Sequence, residues 1–73
     1  MILPKENYVI VEENETLPKI LRDYNVGRIV SSNSEIYWLN DIVYFKEISD
    51  NIIYEDKIYS VLHEDQIYFV ENN

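Results

Sequence analysis

His63 is the one imidazole in the chain and is followed at once by Glu64 and Asp65, so acid–base chemistry at neutral pH would have to start there. A working base needs a pocket and an orienting partner. These carboxylates are neighbours along a strand's turn rather than a triad, and with no Cys and a few scattered Ser there is no evident nucleophile. His63 therefore reads as a solvated turn histidine. The other acidic groups, Glu12-Glu13-Glu15, Asp50 and Glu55-Asp56, lack the alternating oxygen-ligand spacing and central Gly of a calcium loop, and read as solubilising faces. Trp38 with Tyr37, Tyr44, Tyr54, Tyr59 and Tyr68 is the set that would stack on nucleic-acid bases. Such platforms sit in positive grooves, and this chain carries 6 Lys and Arg against 14 Asp and Glu, a net charge of −8. Phosphate and anionic lipid are repelled, so the aromatic residues are expected to pack in a core or at a subunit interface. The expectation is a protein without catalysis, metal or cofactor, whose work is binding.

Leu17, Ile20, Leu21 and Tyr24 fall at i, i+3, i+4 and i+7, with Thr16 placed as an N-cap and Gly27 available as a stop, which is a short amphipathic helix on paper. Two readings of Leu17, Ile20 and Leu21 stand side by side. Spacing favours a core-facing turn, while the alternative is a partner-docking motif ordered only when engaged. Ile20→Ser costs about 2–5 kcal/mol under the first and spares stability under the second.

Seventy-three residues make one domain with a thin core, and with no Cys to staple it, completion by another subunit is expected. Apolar runs stop at four or five residues, as in Tyr8 to Val11 and Ile42 to Phe45, well short of the ~20 a membrane helix needs. The start Met1-Ile2-Leu3-Pro4-Lys5 is no signal peptide, and a cytoplasmic protein is expected. Eleven Ile, seven Val and seven Tyr with no Ala favour a mainly β fold. Strands are expected at Tyr8–Val11, Arg28–Val30, Glu35–Leu39, Ile42–Phe45, Ile52–Tyr54, Lys57–Leu62 and Ile67–Val70. Ser31 to Ser34 would turn one hairpin and Glu55-Asp56 another, although the second lacks the usual Gly. Short, evenly spaced strands with a possible helical turn near residues 17–24 indicate a small, partly irregular β-barrel.

Four landmarks recur in order: Ile2-x-Pro4 with Asn7-x-Val9-Ile10-Val11; Gly27-Arg28-Ile29-Val30; Leu39-Asn40-Asp41-Ile42-Val43-Tyr44-Phe45; and Tyr59-x-Val61-Leu62-x-Glu64-Asp65-x-Ile67. In order and spacing they resemble the GroES-like small co-chaperonins over nearly the whole chain, most closely from Leu39 to Val70. The resemblance implies a barrel subunit of a seven-membered ring that caps a chaperonin, a large ring ATPase. Strands at the chain's two ends would pair between neighbours, which singles out Ile10, Val11, Tyr68 and Val70 as the oligomer interface. The family's docking loop corresponds to the stretch holding Leu17, Ile20 and Leu21. This chain departs from the family in its shorter loop, with Pro18 and no glycine before Gly27, and in a shorter roof hairpin. Asn40 stands where the family has glycine, and Asn is the non-glycine best suited to a left-handed backbone.

The composition, poor in Ala, Gly and Pro, suggests a low-GC source such as a phage. An alternative from a different class follows from the charge: an acidic, virus-encoded inhibitor that binds a host protein by mimicking DNA.

Overall fold

β-branched and aromatic residues at alternate positions dictate pleated strands, and the computed structural model, which describes residues 2–13 and 23–72, contains six: β1 (Tyr8–Glu12), β2 (Asn25–Ser32), β3 (Ile42–Phe45), β4 (Asp50–Tyr54), β5 (Lys57–His63) and β6 (Ile67–Glu71). All neighbours are antiparallel and lie in one sheet in the order β4-β5-β1-β2-β3-β6. The fold is mainly β, and one turn of 3-10 helix, Glu64–Gln66, joins β5 to β6. β4 and β6 do not pair with each other, so the sheet is open rather than a barrel closed by hydrogen bonds. It is nonetheless strongly bent: the Cα envelope is 28 × 28 × 22 Å, about twice the ~10 Å spacing of two packed sheets in its thinnest direction.

Bending lets one face enclose the core. Val9 and Val11 from β1, Ile29 from β2, Val43 and Phe45 from β3, Leu62 from β5 and Ile67 from β6 form a buried cluster, with Tyr37 and Ile48 against it. Cross-strand pairs set this face, including Val9 opposite Leu62 and Val11 opposite Ile29. Two irregularities keep apolar residues inward. At the first, Ile10 faces Ser31 while Val11 faces Ile29, so Val30 is an extra residue that returns Ile29 to the core side. At the second, Tyr44 faces Phe69 while Phe45 faces Ile67, so Tyr68 is the extra residue and Ile67 is turned inward.

The single glycine belongs to this packing. A Cβ on Gly27 would stand 3.0 Å from the Glu12 carbonyl oxygen and 3.3 Å from the Val11 side chain, so any side chain there would force β1 and β2 apart. Gly27 is a strand-interior residue and not the helix stop expected from sequence. Thr16, Leu17, Pro18, Ile20 and Leu21 lie outside the described residues, while Asp23 and Tyr24 form a turn and bend that lead directly into β2.

The hairpin expected around Ser31 to Ser34 is corrected. β2 runs through Ser32, and Glu35–Leu39 is loop rather than strand. Side chains take over its backbone: Ser32 Oγ donates to Tyr37 O at 2.6 Å, the Ser34 N–H donates to Ser32 Oγ at 3.2 Å, and the Ile36 N–H donates to Ser34 Oγ at 3.2 Å. The Trp38 N–H donates to Asp41 Oδ2 at 3.0 Å, closing the loop before β3. Asn40 has φ 71°, the left-handed conformation its residue type anticipates. The Glu55-Asp56 turn is as short as expected, with Tyr54 opposite Lys57 and φ values of 50° and 65°, both positive as a two-residue hairpin of this hand requires.

Candidate functional site

With one face of the sheet occupied by the core, the surfaces left for binding are its other face, its two margins and the loops between strands. β6 is the more apolar margin. Its inner side is laddered to β3, its outer side has no strand partner among the described residues, and Tyr68, Phe69 and Val70 are 57, 50 and 40% exposed. Three consecutive exposed apolar residues on a free edge form a template for strand addition.

Local chemistry fixes both ends of this strand. At its start, His63 Nδ1 accepts from the Asp65 N–H at 3.0 Å, and Gln66 Oε1 accepts from the His63 N–H at 2.8 Å and from Ser49 Oγ at 2.6 Å. These bonds cap the 3-10 turn and aim the chain into β6. His63 also packs edge-on against Tyr8, with ring centres 5.0 Å apart. The imidazole is thus a structural cap at a turn. At the far end, the Tyr44 hydroxyl donates to Glu71 Oε1 at 2.8 Å. That bond, followed by burial and the charge of the same carboxylate, raises the Tyr44 pKa above its ordinary value. Tyr37 is raised as well, by burial first and then by Glu64 and Asp65.

Beside β6, Tyr24 packs edge-on against Tyr68 and Phe69, at 5.3 and 5.4 Å between centres. Lys46 Nζ lies 4.9 Å from the Tyr24 ring centre and 5.9 Å from that of Tyr68. Among the described residues this margin therefore joins apolar and aromatic surface to the Lys46 ammonium group, with the carboxylates Glu47 and Asp65 beside Tyr68.

The sequence-derived interface residues separate. Tyr68 and Val70 are on the free edge. Ile10 and Val11 are not: β1 is central, laddered to β5 on one side and β2 on the other, and the two residues are buried at 2 and 0% exposure. They have no free main-chain groups for a neighbouring subunit. The expectation failed because a strand first in sequence need not be an edge in space; β5 arrives from fifty residues later to cover it. Leu17, Ile20 and Leu21, the expected docking motif, lie outside the described residues. Of the expected aromatic set, Tyr68 alone stacks with another described ring; Trp38 is 58% exposed and Tyr44 is buried.

Sequence reasoning passed over Phe69, although an apolar run of four after the last turn signal marks it. It also passed over Ile2 and Leu3, which are 52 and 65% exposed and outside every strand. Comparison with protein-family models gives no match to this sequence, and comparison with curated proteins gives none either.

Proposed function

We propose that this chain is a non-catalytic binding module of the co-chaperonin kind, a subunit that assembles with copies of itself and caps or modulates a chaperonin. The observation that carries the reading is the exposed run Tyr68-Phe69-Val70 on the edge of β6 that has no strand partner among the described residues. An edge of that composition is stabilised when another strand removes it from water, at about 25 cal/mol per Å² of apolar area. The second strand would come from the start of a neighbouring copy, where Ile2 and Leu3 stand exposed ahead of β1. Head-to-tail pairing of this type closes into a ring when the rotation permits, and seven copies are expected from the family resemblance. Leu17, Ile20 and Leu21 would then meet the chaperonin as its apolar anchor.

Analytical ultracentrifugation tests the assembly. A species of seven times the 8.8 kDa chain mass supports it, and Val70→Asp should return that species to monomer. A wild-type monomer at every concentration overturns the ring. The partner is tested by retention of a purified chaperonin with wild type and with Ile20→Ser/Leu21→Ser, where loss in the variant alone is expected. A monomer that retains a basic DNA-binding enzyme in both forms would move the case to the acidic inhibitor.

A further inference from the structure

We propose that β4, the opposite margin of the sheet, is a docking edge for an extended basic segment of a partner protein, lying along it as a seventh strand. The inference does not use the β6 edge, although Ile2 serves both this groove and the proposed ring contact. Beside β4, on the face away from the core, is an open apolar groove of about 360 Å³. It is lined by Ile2, Pro4, Tyr8, Ile10, Ile52 and Val61, with Asp50 and Lys5 beside them. That volume is within the ~300–1,000 Å³ of ordinary ligand sites, and its place beside an open ladder suits the side chains of an added strand.

The register defines what the edge offers. Tyr54 and Lys57 close a two-residue turn, so alternation along the hairpin points the main-chain groups of Ile53 and Asn51 away from β5. The Asn51 N–H is already bonded to Asp50 Oδ1 at 2.8 Å, which, among the described residues, leaves the Asn51 carbonyl and both main-chain groups of Ile53 open to an incoming strand. Residues i and i+2 of that strand would enter the groove, and those between them would cover Ile53 and Ile58, a cross-strand pair 76 and 69% exposed on the other face.

Charge selects the occupant. Asp50, Glu55 and Asp56 lie on this margin against Lys5 and Lys57, and residues 47 to 56 contain no Lys or Arg. A second copy of β4 would bring the same carboxylates face to face and be repelled, whereas Lys or Arg at the outer positions of a foreign strand would be drawn in.

The test uses an acetylated, amidated heptapeptide of alternating Lys and Val, titrated into the 15N-labelled chain at low salt, with alternating Glu and Val as control. Amide shifts centred on Asn51, Ile53 and Ile10 are expected for the Lys peptide alone and should weaken as salt is added. Ile53→Pro removes the outward N–H without touching a bond to β5 and should weaken binding about tenfold, and Ile52→Lys should do the same through like charge. Circular dichroism confirms folding of each, and if the proline variant is unfolded the lysine variant decides. Equal binding of the Glu peptide, shifts confined to β6, undiminished binding by the folded variants, or self-association through β4 without peptide would each overturn the proposal.

Discussion

The two margins of this sheet solve the same problem in opposite ways. Both strands expose a row of main-chain groups. At β4 the protein occupies one of them with its own side chain, Asp50 on the Asn51 N–H, and surrounds the rest with carboxylates. On β6 Glu71 accepts from the Tyr44 hydroxyl at 2.8 Å, and in the turn before it Glu64 accepts from Ser34 Oγ at 2.7 Å; the strand itself shows Tyr68, Phe69 and Val70, with Glu47 and Asp65 beside Tyr68. A guarded, acidic edge discriminates by charge, while an open apolar edge accepts any strand of suitable shape. The difference lies in side chains rather than in backbone, since both edges belong to one antiparallel sheet.

The largest test of this comparison cuts one margin loose. Phe45 is fully buried opposite Ile67, so Phe45→Ala should cost about 3–5 kcal/mol in urea unfolding. In native-state hydrogen exchange it should release the β3–β6 ladder before the β4–β5 hairpin; equal loss at both would show that the margins are not separable. Next is the seam between them. Gly27→Ala places a methyl 3.0 Å from the Glu12 carbonyl, and about 1–3 kcal/mol of destabilisation is expected from a thermal melt, with no bias toward either edge.

A smaller effect, of opposite sign, belongs to the β4 side. Glu55 and Asp56 hold φ values of 50° and 65° without being Gly or Asn. Glu55→Asn with Asp56→Gly should therefore stabilise the chain by about 1 kcal/mol, measured by the shift in denaturation midpoint. The smallest effect sharpens the β6 side. Because the folded-state pKa of Tyr44 is raised, the stability it contributes is complete below its unfolded value of about 10 and is lost as pH rises through the folded value. Urea midpoints from pH 8 to pH 11 should fall less steeply in Tyr44→Phe than in wild type. Parallel curves would assign the alkaline loss elsewhere, with Tyr37 the next group to examine.

Much of the strand pattern was legible because it is local. The run from Tyr8, the Lys57 to Leu62 strand, the Glu55-Asp56 turn and the backbone of Asn40 all follow from residue types over a few positions. Glu35 to Leu39 misled because its run of β-branched and aromatic residues resembles a strand, while Ser32, Ser34 and Asp41 offer the same backbone a different set of partners. Gly27 was misjudged for a related reason: its crowding comes from Glu12 and Val11 on another strand. The site was half legible. Tyr68 and Val70 could be placed on a terminal strand by reading along the chain, but strand order across the sheet is a property of the whole fold, and it removed Ile10 and Val11 from the margin.

The position of β1 has one more consequence. The first three strands form a consecutive meander that a growing polypeptide can lay down early, yet its two flanks are filled by β5 and β6, strands linked through a single 3-10 turn. Until those residues leave the ribosome, the half-built sheet has an uncovered side at β1 and another at β3, and the first of these needs a partner about fifty residues away. Maturation is therefore a late event in which one short stretch of sequence seals both sides of the meander, and a ribosome stalled before His63 would release a chain prone to stick to its neighbours.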